Sequence, residues 1–251
     1  MNDTILTVFS SPAPRVVQQW LQRFHNPPRV VDVPGGNSNQ FSAQGRIAAQ
    51  DFPAYVHARN PQHNGRIAVV TFSAGWAFAH ALSQSPAAIG LVDTIVLLDG
   101  LHSTLALEGL AAYAERCSYG TPADPLLLMI HSQIVPPFVS AKHTNCKLME
   151  AAKEGPNCHT PPLELQALPR YFTHPGECDL PTPGPDNVLH LGNQFGRAMY
   201  AADPLADYDN AGNVWRIEYR GTNAAIHIYI ANYVQPRAWA MLADRWNGEV
   251  A

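Results

Sequence analysis

The chain has little charge: only 14% of its 251 residues are Asp, Glu, Lys or Arg, with 16 basic against 20 acidic and a formal net charge of -4. The 11 histidines are scattered and no basic stripe runs along any segment, which excludes nucleic acid as an expected partner. Long apolar runs are also missing. No stretch reaches the length of a membrane span, and Met1-Asn2-Asp3-Thr4-Ile5-Leu6 has neither the basic start nor the apolar core of a secretory signal. A soluble, cytoplasmic protein is the expectation. Cysteine is scarce at four residues: Cys117 stands alone, while Cys146, Cys158 and Cys178 fall in one irregular region. Without a signal peptide an even count is weak ground for disulfides. His143, Cys146, Cys158 and His159 can be written as a metal set, but the spacing fits no standard zinc module, so neither metal nor other cofactor is expected. Internal repeats are absent.

What is there is apolar residue in short, punctuated runs, 46% of the chain in all, enough to bury the core of one domain over 1–251. Ile5 to Ser10 reads as a first strand and Val16 to Phe24 as a helix stopped by His25-Asn26-Pro27-Pro28. Arg29 to Val33 is a second strand, 35–45 a polar, flexible loop, and Asp51 to Arg59 a short helix. Arg66 to Phe72, Leu91 to Asp99 and Pro125 to Ile130 are β-branched or leucine-rich runs that read as buried strands, with a helix over Leu105 to Arg116 between the last two. Val214 to Tyr219 is a last, alternating strand, followed by His227 and a closing helix interrupted near Pro236. Strands alternating with helices predict right-handed crossovers and a mostly parallel sheet. Between about 140 and 190 the pattern changes. After a short helix near Asn145 to Lys153, proline and glycine become dense, and the segment reads as a cap-like insertion over the sheet.

Ligands of open parallel sheets bind beyond the carboxyl ends of the strands, so the residues after each run matter most. The apolar run of Ile67, Val69 and Val70 breaks into Thr71-Phe72-Ser73-Ala74-Gly75 and then the helix formers Trp76 to Leu82. Ser73 therefore stands at a strand-to-helix corner, where a tight turn lifts its hydroxyl off the backbone. Asp99 closes the next strand, His131-Ser132 the one after, and His227 follows the last. A serine hydroxyl needs an adjacent base, and the base an orienting acceptor. Ser73, Asp99 and His227 supply those types in that order.

The corner and the order together resemble the α/β-hydrolase family, whose nucleophile elbow reads G-x-S-x-G at a strand-to-helix turn and whose acid and histidine follow the serine. Thr71 stands where that pattern has its first glycine. The resemblance covers Ile5 to Trp246 and implies a three-layer sandwich about a mostly parallel sheet, the minimal, cutinase-like version of the fold with a Pro-rich insertion. It implies a cofactor-independent serine esterase working through an acyl-enzyme on a small-molecule or polymer ester. In the roles it carries over, Ser73 is nucleophile, His227 general base and then acid, and Asp99 orienting carboxylate. Ala74 and Ser11 become the backbone donors of an oxyanion hole, while His102 and His131 lie near the same rim as candidate substrate contacts. Many members place the acid one strand later, where this chain has His131-Ser132-Gln133, so Asp203, Asp207 and Asp209 remain alternatives on a later loop. Two other readings stay open: a non-catalytic binding protein that keeps the fold, and a metal-dependent hydrolase using the insertion's His and Cys residues.

Overall fold

The computed structural model describes residues 1–9, 20–100, 107–118, 123–133, 141–154, 188–191, 198–201, 205–219, 227 and 230–248. Seven strands form one sheet: β1 (Thr4–Phe9), β2 (Arg29–Asp32), β3 (Ile67–Phe72), β4 (Thr94–Leu98), β5 (Leu126–His131), β8 (Leu205–Ala211) and β9 (Val214–Tyr219). Their order is β2-β1-β3-β4-β5-β9-β8, and every neighbouring pair is parallel except β8 with β9. β6 (Val188–Leu191) and β7 (Ala198–Ala201) form a separate antiparallel pair.

The alternation of side chains along each strand divides the core into two layers. Leu6, Val8, Val69, Ile95, Leu97, Leu127, Met129 and Val214 face one way. Over them lie α1 (Ser38–Gln50), α2 (Phe52–His57), α3 (Trp76–Ser83), α4 (Pro86–Ile89), α5 (Leu107–Cys117) and α6 (Ala141–Glu154). Ile5, Val70, Phe72, Val96, Leu98, Leu128, Ile130, Ile217 and Tyr219 face the other way, against Phe24 and the closing helix α7 (Gln235–Asn247), which contributes Trp239, Leu242 and Trp246. The result is a three-layer α/β sandwich with a mostly parallel central sheet. β3, β4 and β5 are buried at every residue because each has a strand on both edges and helices on both faces. No helix among the described residues is long and apolar enough to cross a membrane.

Several expectations change. The polar stretch expected as a flexible loop over 35–45 contains the start of α1. Asn37 caps that helix by accepting from the Gln40 amide at 3.1 Å, and the Gln40 side chain accepts from Gly36 N at 2.7 Å, a reciprocal cap. Its buried face needs only Phe41, Gly45 and Ala48, one residue per turn, too thin an apolar signal to stand out among polar neighbours. The loop expected to carry Asp207 and Asp209 is β8, paired to β9 with Asp207 opposite Glu218 and Asp209 opposite Arg216. β9 is thereby an inner strand, and its alternating pattern hides complete burial: Arg216 and Glu218 pair with each other at 3.1 Å inside the fold. Finally, α6 opens the segment expected as a cap, but Leu148, Met149 and Ala152 are buried in the same layer as α5. The rest of that expected segment, 155–187, lies outside the described residues.

Candidate active site

The parallel register sets the site. Phe72 is level with Leu98, and Leu98 with Ile130, so Ser73, Asp99 and His131 are the next residues of three adjacent strands at their carboxyl ends. Two of the three leave the sheet by an unusual turn. Ser73 has φ 52° and Asp99 has φ 42°, and among the described residues no other non-glycine residue has positive φ. A left-handed backbone costs a β-carbon residue about 1–3 kcal/mol and persists where surrounding structure enforces it. Here the enforcement is visible. After Ser73 the chain makes a single 3-10 turn, Ser73–Gly75, and enters α3. A β-carbon on Gly75 would lie 1.8 Å from the Val8 carbonyl oxygen, so only glycine lets the turn fold back onto β1. A β-carbon on Gly100 would lie 2.9 Å from the Ser73 carbonyl oxygen, which brings the two strained turns into direct contact.

Ser73 does not cap α3. The residue preceding the 3-10 turn is Phe72 and that preceding α3 is Gly75, and neither contributes a side-chain cap. The amides of a helix start therefore follow directly on a half-buried serine. Thr71, in place of a glycine, fits within β3 at zero exposure, with its hydroxyl directed at the Val96 carbonyl at 3.4 Å.

Asp99 reaches His227. The Asp99 Oδ2 to His227 Nδ1 distance is 2.6 Å, and the imidazole lies against the Phe72 ring with centroids 4.5 Å apart. An ionised carboxylate can only accept, so Nδ1 carries the hydrogen and Nε2 is the basic nitrogen. Asp99 is held further by Ser132, whose N–H donates to Oδ1 at 2.8 Å and whose hydroxyl lies 2.8 Å from Oδ1 and 2.9 Å from Oδ2. Burial is the largest single influence on this carboxyl and opposes its charge. The hydrogen bond and charge of His227, then the two Ser132 contacts, outweigh it and hold Asp99 below the ordinary carboxylate value.

His131, expected near the rim as a substrate contact, is fully buried. Its Nδ1 lies 3.0 Å from the Ser132 carbonyl and its Nε2 3.3 Å from Arg216 Nη1. Arginine only donates, so Nε2 accepts and Nδ1–H donates: His131 is neutral in a fixed tautomer. Burial chiefly, with Arg216 adding, holds it below the usual histidine value against the opposing effects of the Ser132 carbonyl, Glu218 and Asp99. It offers no surface to a ligand and instead braces the residue that braces Asp99. Arg216 is paired with Glu218, which also accepts from Gln133 Nε2 at 2.6 Å.

Of the residues expected at the site, the fold thus brings Ser73, Ala74, Asp99 and His227 to one rim and turns His131 inward. Ser11, His102 and Asp203 lie outside the described residues, as do Cys158, His159 and Cys178 of the metal or disulfide set. His143 and Cys146 are on α6, and no group of three or more His, Cys, Asp or Glu converges on a metal position among the described residues. Sequence reasoning set Ser132 at the rim without a role and gave none to Phe72 or Gly100. Ser132 was visible as the residue after a buried strand, but a serine there carries no chemistry of its own until the neighbouring carboxylate is seen.

Compared with known proteins, the chain matches no family model, and no curated protein matches it. The class that fold and site define is the α/β sandwich with a polar rim at the carboxyl ends of its central strands.

Proposed function

We propose that the protein is a serine hydrolase of the α/β-hydrolase type that cleaves a carboxylic ester through an acyl-enzyme. The observation that carries this reading is the 2.6 Å Asp99–His227 pair beside a serine held in a left-handed turn at the end of the neighbouring strand. Ser73 Oγ attacks the ester carbonyl while His227 Nε2 takes its proton, and Asp99 fixes the imidazole and stabilises its charged form. The oxyanion develops over the Ala74 N–H, the first amide after the nucleophile, where the helix start favours negative charge. His227 then gives its proton to the departing alcohol. In the second half water attacks the acyl carbonyl, His227 takes the water's proton, and the acid leaves as Ser73 Oγ is reprotonated.

A screen of p-nitrophenyl esters of increasing chain length, run on wild type beside Ser73→Ala, tests the reading and the substrate class together. Turnover should fall by several powers of ten in the variant with Tm nearly unchanged, since one hydroxyl and no core volume is removed. Retention of more than about a tenth of the wild-type rate would remove Ser73 as the nucleophile.

A further inference from the structure

We propose that Ser132 is a positioning residue of this site, which aims the Asp99 carboxylate at His227 through its N–H and its hydroxyl. The inference rests on the hydrolase reading for its kinetic consequence and on geometry alone for the carboxylate itself.

Asp99 follows the last residue of β4 with a left-handed backbone. Its own N–H donates to the Ile130 carbonyl of the neighbouring strand at 2.7 Å, which fixes the backbone but not the carboxyl group. The carboxyl group must then be oriented by what it meets. His227 approaches one oxygen, Oδ2; Ser132 N–H approaches the other, Oδ1, and the Ser132 hydroxyl lies across both. These contacts leave the carboxylate one rotation about its terminal bond, the one that presents Oδ2 to Nδ1. Ser132 is itself fixed, because its carbonyl accepts from the neutral, buried His131, whose other nitrogen accepts from Arg216. The end of β5 therefore acts as a mount for a carboxylate that belongs to β4.

The charged and titratable groups around Asp99 are His227 in contact with it, and His131, Arg216 and Glu218 behind Ser132. Of these, only Ser132 and His227 bond the carboxylate directly among the described residues. Loss of the hydroxyl leaves the N–H contact to Oδ1 and the His227 contact to Oδ2 but removes the contact that spans both oxygens, so the aim of Asp99 loosens and its preference for the charged form weakens.

The test uses three variants of the whole protein. Ser132→Ala removes the hydroxyl, Ser132→Cys keeps nearly its volume with a poor donor, and Ser132→Thr keeps the donor. Two readouts are taken: kcat and KM on the best ester, and the titration of the Asp99 carboxyl by carbon NMR, which needs no turnover. Ala and Cys should lower kcat about tenfold to a hundredfold, the loss of one hydrogen bond to a charged group, with KM within about twofold. Both should also raise the Asp99 midpoint, and Thr should restore both quantities toward wild type. A role in packing alone predicts the opposite pattern, with Cys like wild type and Thr the damaged one. Wild-type kcat and an unmoved Asp99 midpoint in Ala and Cys would overturn the inference and leave the hydrolase reading standing. A wild type inactive on every ester, with an Asp99 midpoint that still moves, would overturn the hydrolase reading and keep Ser132 as the mount of Asp99.

Discussion

Two aspartates are buried at opposite ends of the same sheet, and their partners differ in kind. Asp3, at the amino ends of the strands, accepts from the Arg66 amide at 2.6 Å and from the Arg66 guanidinium at 3.3 Å. The same guanidinium donates to the Trp246 carbonyl at 2.7 Å and lies over the Trp246 ring at 4.9 Å, so it staples the chain start and β3 to the last helix. Asp3 has an ordinary backbone and a partner that is always charged. Asp99, at the carboxyl ends, has a left-handed backbone, a histidine partner at 2.6 Å, and a strained serine beside it. A permanent cation on a relaxed chain holds a fold together. A histidine partner on a strained chain is the kind of arrangement that clusters at functional sites.

The comparison breaks most sharply in turnover. Asp99→Asn keeps the shape, and Asn tolerates the left-handed turn, but it loses the charge that supports a protonated His227. Ester turnover should fall by a few powers of ten with KM nearly unchanged, as loss of an orienting carboxylate does in serine triads. Equal activity in this variant, together with loss in an Asp203, Asp207 or Asp209 variant, would move the acid to the later segment and leave Ser73 and His227 in place.

Asp3→Ala should do the reverse. Two hydrogen bonds are lost, one of them a partly exposed ion pair, which costs about 1–2 kcal/mol in urea unfolding, while kcat of the folded protein stays at the wild-type value. A fall in kcat without a fall in stability would show that the two ends of the sheet are not separable.

The smallest effect is on acid stability. Asp99 is held below its unfolded value, so its charge stabilises the native state at neutral pH, and that stabilisation is lost as pH falls below the ordinary carboxylate range of about 4 and through the native value. Asp99→Asn lacks it from the outset. The gap in unfolding free energy between wild type and variant should therefore be open at neutral pH and close on acidification. A gap that widens at low pH would mean that burial, and not His227 and Ser132, decides the state of this carboxyl.

How much of this was legible follows from what each element depends on. β3, β4 and β5 declare themselves because a strand buried on both faces is written in consecutive Ile, Val and Leu. Ser73 and Asp99 could be placed from the abrupt end of those runs, since residues after parallel strands share one rim. α1 was missed because one buried residue per turn suffices when a polar cap starts the helix. β8 was missed because it is an edge strand of mostly polar residues, whose pairing with β9 depends on a partner already in the sheet. The inward turn of His131 and the contacts of Ser132 depend on residues far apart in sequence, Asp99 and Ser132 being 33 positions apart and Asp99 and His227 128. Local pattern carries no trace of such contacts.

The central claim, that Ser73 is activated by the Asp99–His227 pair, is tested most directly by labelling with a fluorophosphonate and mapping the adduct by mass spectrometry. The account predicts one adduct per chain, on Ser73, absent in Ser73→Ala and formed at least about a hundredfold more slowly in Asp99→Asn, where the base is no longer oriented. Labelling of Ser73 at the same rate in both wild type and Asp99→Asn, or an adduct on a different serine, would contradict it.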